Sequence, residues 1–270
     1  FDSGDGNNII ISLDIKNAYQ NVRRSSIMAN LLDRYSTLAK LFLWAYGEDS
    51  PLFLANWTHV GNAHTGVKQG DPLGAFFFCH GLQPALKEIQ QEVVNSRDLP
   101  NMPPRLPGST DGLNRGGLDD GSSRVGILAY IDDITLYTNV ESAVAVARIA
   151  KSVLARYGFT LSVSKCYFLG KRADELKTVQ GDLGFNIEKD GLKLLGNPVG
   201  TTKYRLAAIG KILQAQLQPL EALHTIRHLT ILAYQILRKC INSRATYLAR
   251  VAEPHREAKH LFHLFDLYIN

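Results

Sequence analysis

The spacing of apolar and polar positions changes several times along the chain, and each change marks an element. Ile9 to Ile15 (IIISLDI) is a β-branched apolar run broken by Asp14, which predicts a central strand buried on both faces. Ser25 or Ser26 is placed to cap a helix carrying Ile27, Met28, Leu31 and Leu32, and Leu38 to Tyr46 predicts a second helix stopped by Gly47. Leu52–Leu54 and Trp57–Val60 predict a hairpin. Asp71-Pro72 predicts a helix start, followed by residues that are apolar nearly all round from Leu73 to Phe78, with a kink at Pro84. Gly126 to Thr138 (GILAYIDDITLYT) has two apolar runs, Ile127–Ile131 and Ile134–Tyr137, around Asp132 and Asp133. That pattern predicts a tight hairpin with both carboxylates at its tip. Ser142 to Tyr157 predicts a helix ended by Gly158, Lys165 to Leu169 a strand, and GLKLLGNPVG (191–200) a hairpin turning at Asn197-Pro198. From Lys203 onward the spacing is helical, predicting two to four amphipathic helices.

Residues 98–122 break the pattern with Pro, Gly and Asp, and read as a loop inserted within one domain. Their acidic pair, Asp119-Asp120, lacks strand flanks and reads as solvated. With 270 residues the chain is long enough for a full core. Its net charge of +5 is unevenly spread: residues 203–260 hold ten Lys or Arg against three Glu, net +7. A basic segment of this kind favours an anionic partner. Cys79, Cys166 and Cys240 are widely spaced and odd in number, which is neither a disulfide framework nor a zinc signature and suggests a reducing, intracellular setting, nuclear or cytoplasmic. No apolar run approaches the ~18–20 residues of a membrane span, and no signal peptide is recognisable. The chain begins without Met, so it reads as a piece of something longer.

The chemistry concentrates in the acids. Adjacent carboxylates repel, and a fold gains nothing from Asp132-Asp133 unless a cation neutralises them. An ordinary turn is the competing reading. The flanking strands, and a third acid at the end of the Asp14 strand, favour Mg²⁺ or Mn²⁺ held by hard oxygen ligands. If the Asp14 strand pairs beside the hairpin, the three carboxylates converge on one sheet edge and suit a two-metal site for in-line displacement on phosphorus. Gln69 and Gly70 precede the buried helix. A polar side chain beside a glycine there suits contact with a nucleotide, although a plain left-handed turn fits equally. There is no Walker A loop, no HExxH and no Cys/His metal spacing.

LDIKNAYQNV, GVKQGDPLG, AYIDD, the 158–165 stretch and LLGNPVG, taken in order, resemble the successive motifs of reverse transcriptases. The QGDPLG form and the segment RHLTILAYQILRKCINSRATYLARV are most similar to enzymes of non-long-terminal-repeat, LINE-like retrotransposons. The resemblance is strong over 9–200 and weaker to about 250. It implies an α+β polymerase palm at 1–202, a small antiparallel sheet backed by helices, followed by a basic helical thumb-like segment at 203–270. It also implies RNA-directed DNA synthesis from dNTPs on a primer and an RNA template, with two Mg²⁺ ions. In these terms Asp14 and Asp132 resemble the metal-ligating acids and Asp133 the assisting acid. Tyr19 resembles the aromatic gate against a 2′-hydroxyl, and Gln69 and Gly70 the residues lining the incoming base pair. Tyr130 resembles the aromatic beside the primer end, Lys165 the lysine offered to pyrophosphate (or a plain surface lysine), and Leu195 and Gly196 the primer grip. Only about a dozen residues precede Asp14, where the family carries its fingers, so this stretch alone is expected to extend primers poorly while binding nucleic acid. A viral-type RNA-dependent RNA polymerase shares the palm but fits Tyr19 less well, and a decayed copy that binds RNA without catalysis fits the intact acids less well.

Overall fold

The computed structural model describes residues 6–96, 99, 125–252 and 256–269. They fall into two compact units, Asn7–Ile187 and one built on Glu188–Asn270. The inserted loop, including Asp119-Asp120, lies outside the described residues apart from Leu99.

The first unit runs β1 (Asn8–Asp14), α1 (Ala18–Asn21), α2 (Arg24–Arg34), α3 (Ser36–Tyr46), β2 (Ser50–Phe53), β3 (His59–Ala63), α4 (Gly74–Asn95), β4 (Gly126–Tyr130), β5 (Asp133–Asn139), α5 (Val140–Arg156), β6 (Tyr167–Leu169) and α6 (Leu176–Val179). It reaches the boundary with β7 (Asn186–Glu188). Five strands form a sheet in the order β4-β5-β1-β6-β7, antiparallel where β1 meets β5 and β6 and where β4 meets β5. β1 is central, as its apolar run predicts, but only one face is fully buried. Ile9, Ile11 and Leu13 enter the core, while Ile10, Ser12 and Asp14 stay half-exposed. The reason is the layering: α5 packs on β1 and β5, and residues of α2, α4 and α5 share one core with that face. An antiparallel sheet covered on one side leaves its period-two partners open.

Local chemistry moved several boundaries. α2 starts at Arg24 with no side-chain cap, so neither Ser25 nor Ser26 caps it. α5 is capped by Asn139, whose Oδ1 accepts from Ser142 N at 2.9 Å. α4 begins at Gly74 rather than at Asp71-Pro72; one Asp71 oxygen accepts from Leu73 N just ahead of the helix and the other from Tyr46. Its first turn is less buried than the apolar run suggests, with Leu73 and Phe76 exposed and Phe77 and Phe78 buried. Pro84 lies inside α4, which continues to Asn95. The carbonyl of His80, which a proline at 84 leaves without its helical donor, accepts from Asn30 Nδ2 on α2 at 3.0 Å.

The second unit opens with a hairpin, β8 (Gly191–Leu194) and β9 (Asn197–Gly200), followed by α7 (Thr202–Gln214), α8 (Leu217–Thr225), α9 (Thr230–Ile236), a π turn (Leu237–Ile241), α10 (Asn242–Val251) and α11 (Arg256–Ile269). The helical spacing is right, but among the described residues it breaks into five helices. Leu194 pairs with Asn197, so the hairpin turns at Leu195-Gly196 and not at Asn197-Pro198. Both turn residues have positive φ, 48° and 84°, the primed geometry that matches the twist of paired strands. A separate apolar core of Ile209, Leu213, Leu220, Ile241, Leu248 and Phe265 holds the helices. Among the described residues no helix is long and apolar enough to cross a membrane.

Candidate nucleotidyl-transfer site

β1 ends on Asp14 and β5 begins on Asp133, and the antiparallel register sets these two directly opposite each other. Direct partners in a sheet project to the same side, here the side that β1 leaves open. Tyr130 is the partner of Asp133 on the other flank. The hairpin loop is therefore Ile131-Asp132, with Asp133 already in the strand, so only Asp132 of the pair sits in the turn. Ile131 has φ 58°. A β-branched residue there, where primed turns favour Gly, stores about 1–3 kcal/mol of strain.

The 158–165 stretch closes the other flank of β1. Lys16 N donates to Thr160 O and Ser162 N to Asp14 O, both at 2.8 Å, and Ile15 bridges Leu161. A 3₁₀ turn at Val163–Lys165 follows, so the strand begins only at Tyr167. The turn leaves Lys165 Nζ 3.9 Å from Asp14 Oδ2, with the lysine side chain 70% exposed, so this pair neutralises little.

Tyr19 lies on α1, just past the end of β1. Its ring stacks on Phe78 of α4, with centroids 5.0 Å apart and planes 3° from parallel. Burial raises its phenol pKa, and Asp132, Cys79 and Tyr130 add to the rise. The gate candidate, the hairpin acid and the hairpin aromatic thus share one neighbourhood. Loss of solvent around the Asp133 carboxyl raises its pKa, and the charges of Asp132 and Asp14 raise it further. The donors are all carboxylate oxygens, which suits Mg²⁺ or Mn²⁺. Among the described residues no three His, Cys, Asp or Glu side chains are gathered into a finished metal cluster. The acids therefore fit a divalent cation by chemistry and charge, without a completed ligand set.

Gln69 and Gly70 occupy an exposed turn four to five residues ahead of α4. Gly70 has φ 88°, and a Cβ built on it meets nothing within 4 Å. Leu195 and Gly196 belong to the second unit, where Tyr247 of α10 donates its hydroxyl to Leu195 O. Lys193, Lys211 and Arg244 line an open cleft of about 630 Å³ beside that turn. Sequence reasoning missed Tyr46, which ties the Gln69-Gly70 turn to α3. A tyrosine inside an apolar helix gives no local signal that its hydroxyl has a partner 25 residues away.

Asp14, Tyr19, Gln69, Gly70, Tyr130, Asp132, Asp133, Lys165, Leu195 and Gly196 fall inside a match to a known family. The family described as reverse transcriptase (RNA-dependent DNA polymerase) matches residues 1–199, and the chain belongs to it. No curated protein sequence matches the chain. Among solved structures, the telomerase of Candida albicans in complex with a fragment of telomeric RNA aligns at TM-score 0.46 and 13% identity, over 97% of this chain and 43% of that one. The telomerase of Candida tropicalis, in a similar complex, aligns at TM-score 0.43 and 11% identity, over 97% and 42%. The chain spans less than half the length of these structures.

Proposed function

We propose that this chain is the palm (1–202, with 98–122 inserted) and the start of a thumb (203–270) of an RNA-directed DNA polymerase of the non-long-terminal-repeat retrotransposon kind. It would add dNTPs to a primer 3′-hydroxyl on an RNA template. The observation that carries the reading is the register that opposes Asp14 and Asp133, with Asp132 in the adjoining turn and Tyr19 beside it. Asp14 and Asp132 would hold the divalent cations, Mg²⁺ or Mn²⁺, with Asp133 assisting. When bound, such ions acidify the attacking hydroxyl and neutralise the leaving pyrophosphate. The chain's own residues orient the reactants. Tyr19 excludes a 2′-hydroxyl, Tyr130 abuts the primer end, Gln69 and Gly70 line the base pair, and Lys165 offers a proton toward pyrophosphate. The Leu195-Gly196 turn and the basic helices hold the primer duplex through its phosphates. The QGDPLG form and the segment at 227–251 support the retrotransposon assignment.

The test is primer extension on an RNA template by the full-length product of the gene. Asp14→Asn and Asp132→Asn are each expected to lower kcat at least about a thousandfold, as befits loss of a ligand worth several kcal/mol of transition-state stabilisation, with an unchanged circular dichroism spectrum. Near-normal extension by either variant would refute the assignment.

A further inference from the structure

Tyr46, the last residue of α3, is 2% exposed. Its hydroxyl donates to Asp71 Oδ2 and accepts from Lys68 N at 3.2 Å. The other carboxylate oxygen, Oδ1, accepts from Leu73 N at 2.9 Å. A single phenol oxygen therefore ties both ends of the 68–71 turn to a helix that is distant in sequence. The phenol is itself tightly held. Its ring packs on Phe42 and Phe77, with centroids at 5.2 and 5.8 Å, and lies near two cations, Arg24 at 5.5 Å and Lys68 at 5.6 Å. Arg24 also donates to Gly66 O, Tyr46 O and Glu48 O, fixing the approach to the turn. Burial and the Asp71 bond push the phenol pKa up to about 12, so the group keeps its proton and remains a donor near neutral pH.

We propose that Tyr46 is a positioning residue for nucleotide selection: through Asp71 and the Lys68 amide it holds Gln69 and Gly70 in the conformation that meets the incoming base pair. This rests on the polymerase reading above. Tyr46→Phe keeps the ring and its packing and removes only the shared oxygen. Asp71→Ala removes both acceptor oxygens and so breaks the same link from the other side.

The experiment measures KM for dNTP, kcat and primer–template Kd in the full-length product. Each single variant is expected to raise KM for dNTP about tenfold, since small misplacement of a contacting group has effects of this order or larger. Primer–template Kd should stay unchanged. The double variant should be no worse than the poorer single one, because both break one link. Additive losses, or losses in kcat alone, would overturn the proposal. Hydrogen exchange gives a readout independent of activity. Amides 68–71 should exchange on the order of tenfold faster in Tyr46→Phe, with the core of α4 unchanged, and unaltered exchange at 68–71 would overturn the proposal. A wild type that adds no nucleotide refutes the polymerase reading instead, and the exchange measurement then decides alone whether Tyr46 holds the turn.

Discussion

Gly66 and Gly70 lie four residues apart with similar backbone angles, φ 78° and 88°, yet alanine should affect them very differently. At Gly70 the added methyl meets nothing within 4 Å. The cost is the left-handed backbone alone, about 1–2 kcal/mol, partly offset by about 0.4–1 kcal/mol from stiffening the unfolded chain. The net loss should be about 1 kcal/mol. At Gly66 the same methyl falls 2.5 Å from both Tyr19 O and Gln20 O and 2.6 Å from Gln20 Cα. These are backbone atoms and cannot swing aside. Relieving the overlap means separating the 65–67 segment from α1 and weakening Gly66 N→Val22 O (2.9 Å) and Val67 N→Tyr19 O (2.8 Å). At about 1 kcal/mol for each bond, added to the same net backbone cost of about 1 kcal/mol, Gly66→Ala should cost about 3 kcal/mol. Urea unfolding of the two variants measures the difference. Equal losses would refute the packing argument, because the backbone contribution is common to both. Function should dissociate from stability. Gly70→Ala, nearly wild type in folding, should still impair nucleotide addition if a substrate approaches that open backbone.

Two further outcomes follow from the same geometry. Tyr19→Val should lower the preference for deoxynucleotides over ribonucleotides, read as the ratio of kcat/KM values, by at least about tenfold, equivalent to ~1.4 kcal/mol. Loss of the Phe78 stack should cost about 1 kcal/mol of stability, and an unchanged ratio would reopen the RNA polymerase reading. Above about pH 10 the folded chain retains the Tyr46 proton that the unfolded chain releases, so this group's contribution to stability, intact below about pH 10, should fall as pH rises toward about 12. It amounts to at most about 2–3 kcal/mol. Comparing urea unfolding of wild type and Tyr46→Phe at about pH 9 and about pH 11 isolates it, and identical alkaline losses would show that the phenol is not held as described.

What could be read from the sequence alone was whatever depends on near neighbours. The β-branched run at Ile9–Ile15 reads as a strand from its own residues. The two apolar runs around Asp132 make a hairpin, and the Ala/Val-rich stretch after Asn139 makes a helix. The ordered motifs pointed to the family that matches residues 1–199, because their order does not depend on packing. Tertiary structure decided what depends on distant partners. Register put Asp133 rather than Asp132 opposite Asp14 and pushed Ile131 into a turn that its own backbone preference opposes. One-sided cover by helices left the Asp14 face open, although the run itself is apolar enough to be buried on both sides. Asp71 reads locally as a helix cap, but a phenol from α3 claims one of its oxygens, and the helix begins three residues later. At 195–198, Asn-Pro is the stronger turn signal. Strand pairing instead places the turn at Leu-Gly, because a glycine at the second turn position accepts the positive φ that a two-residue hairpin requires, whereas proline is held near −65°.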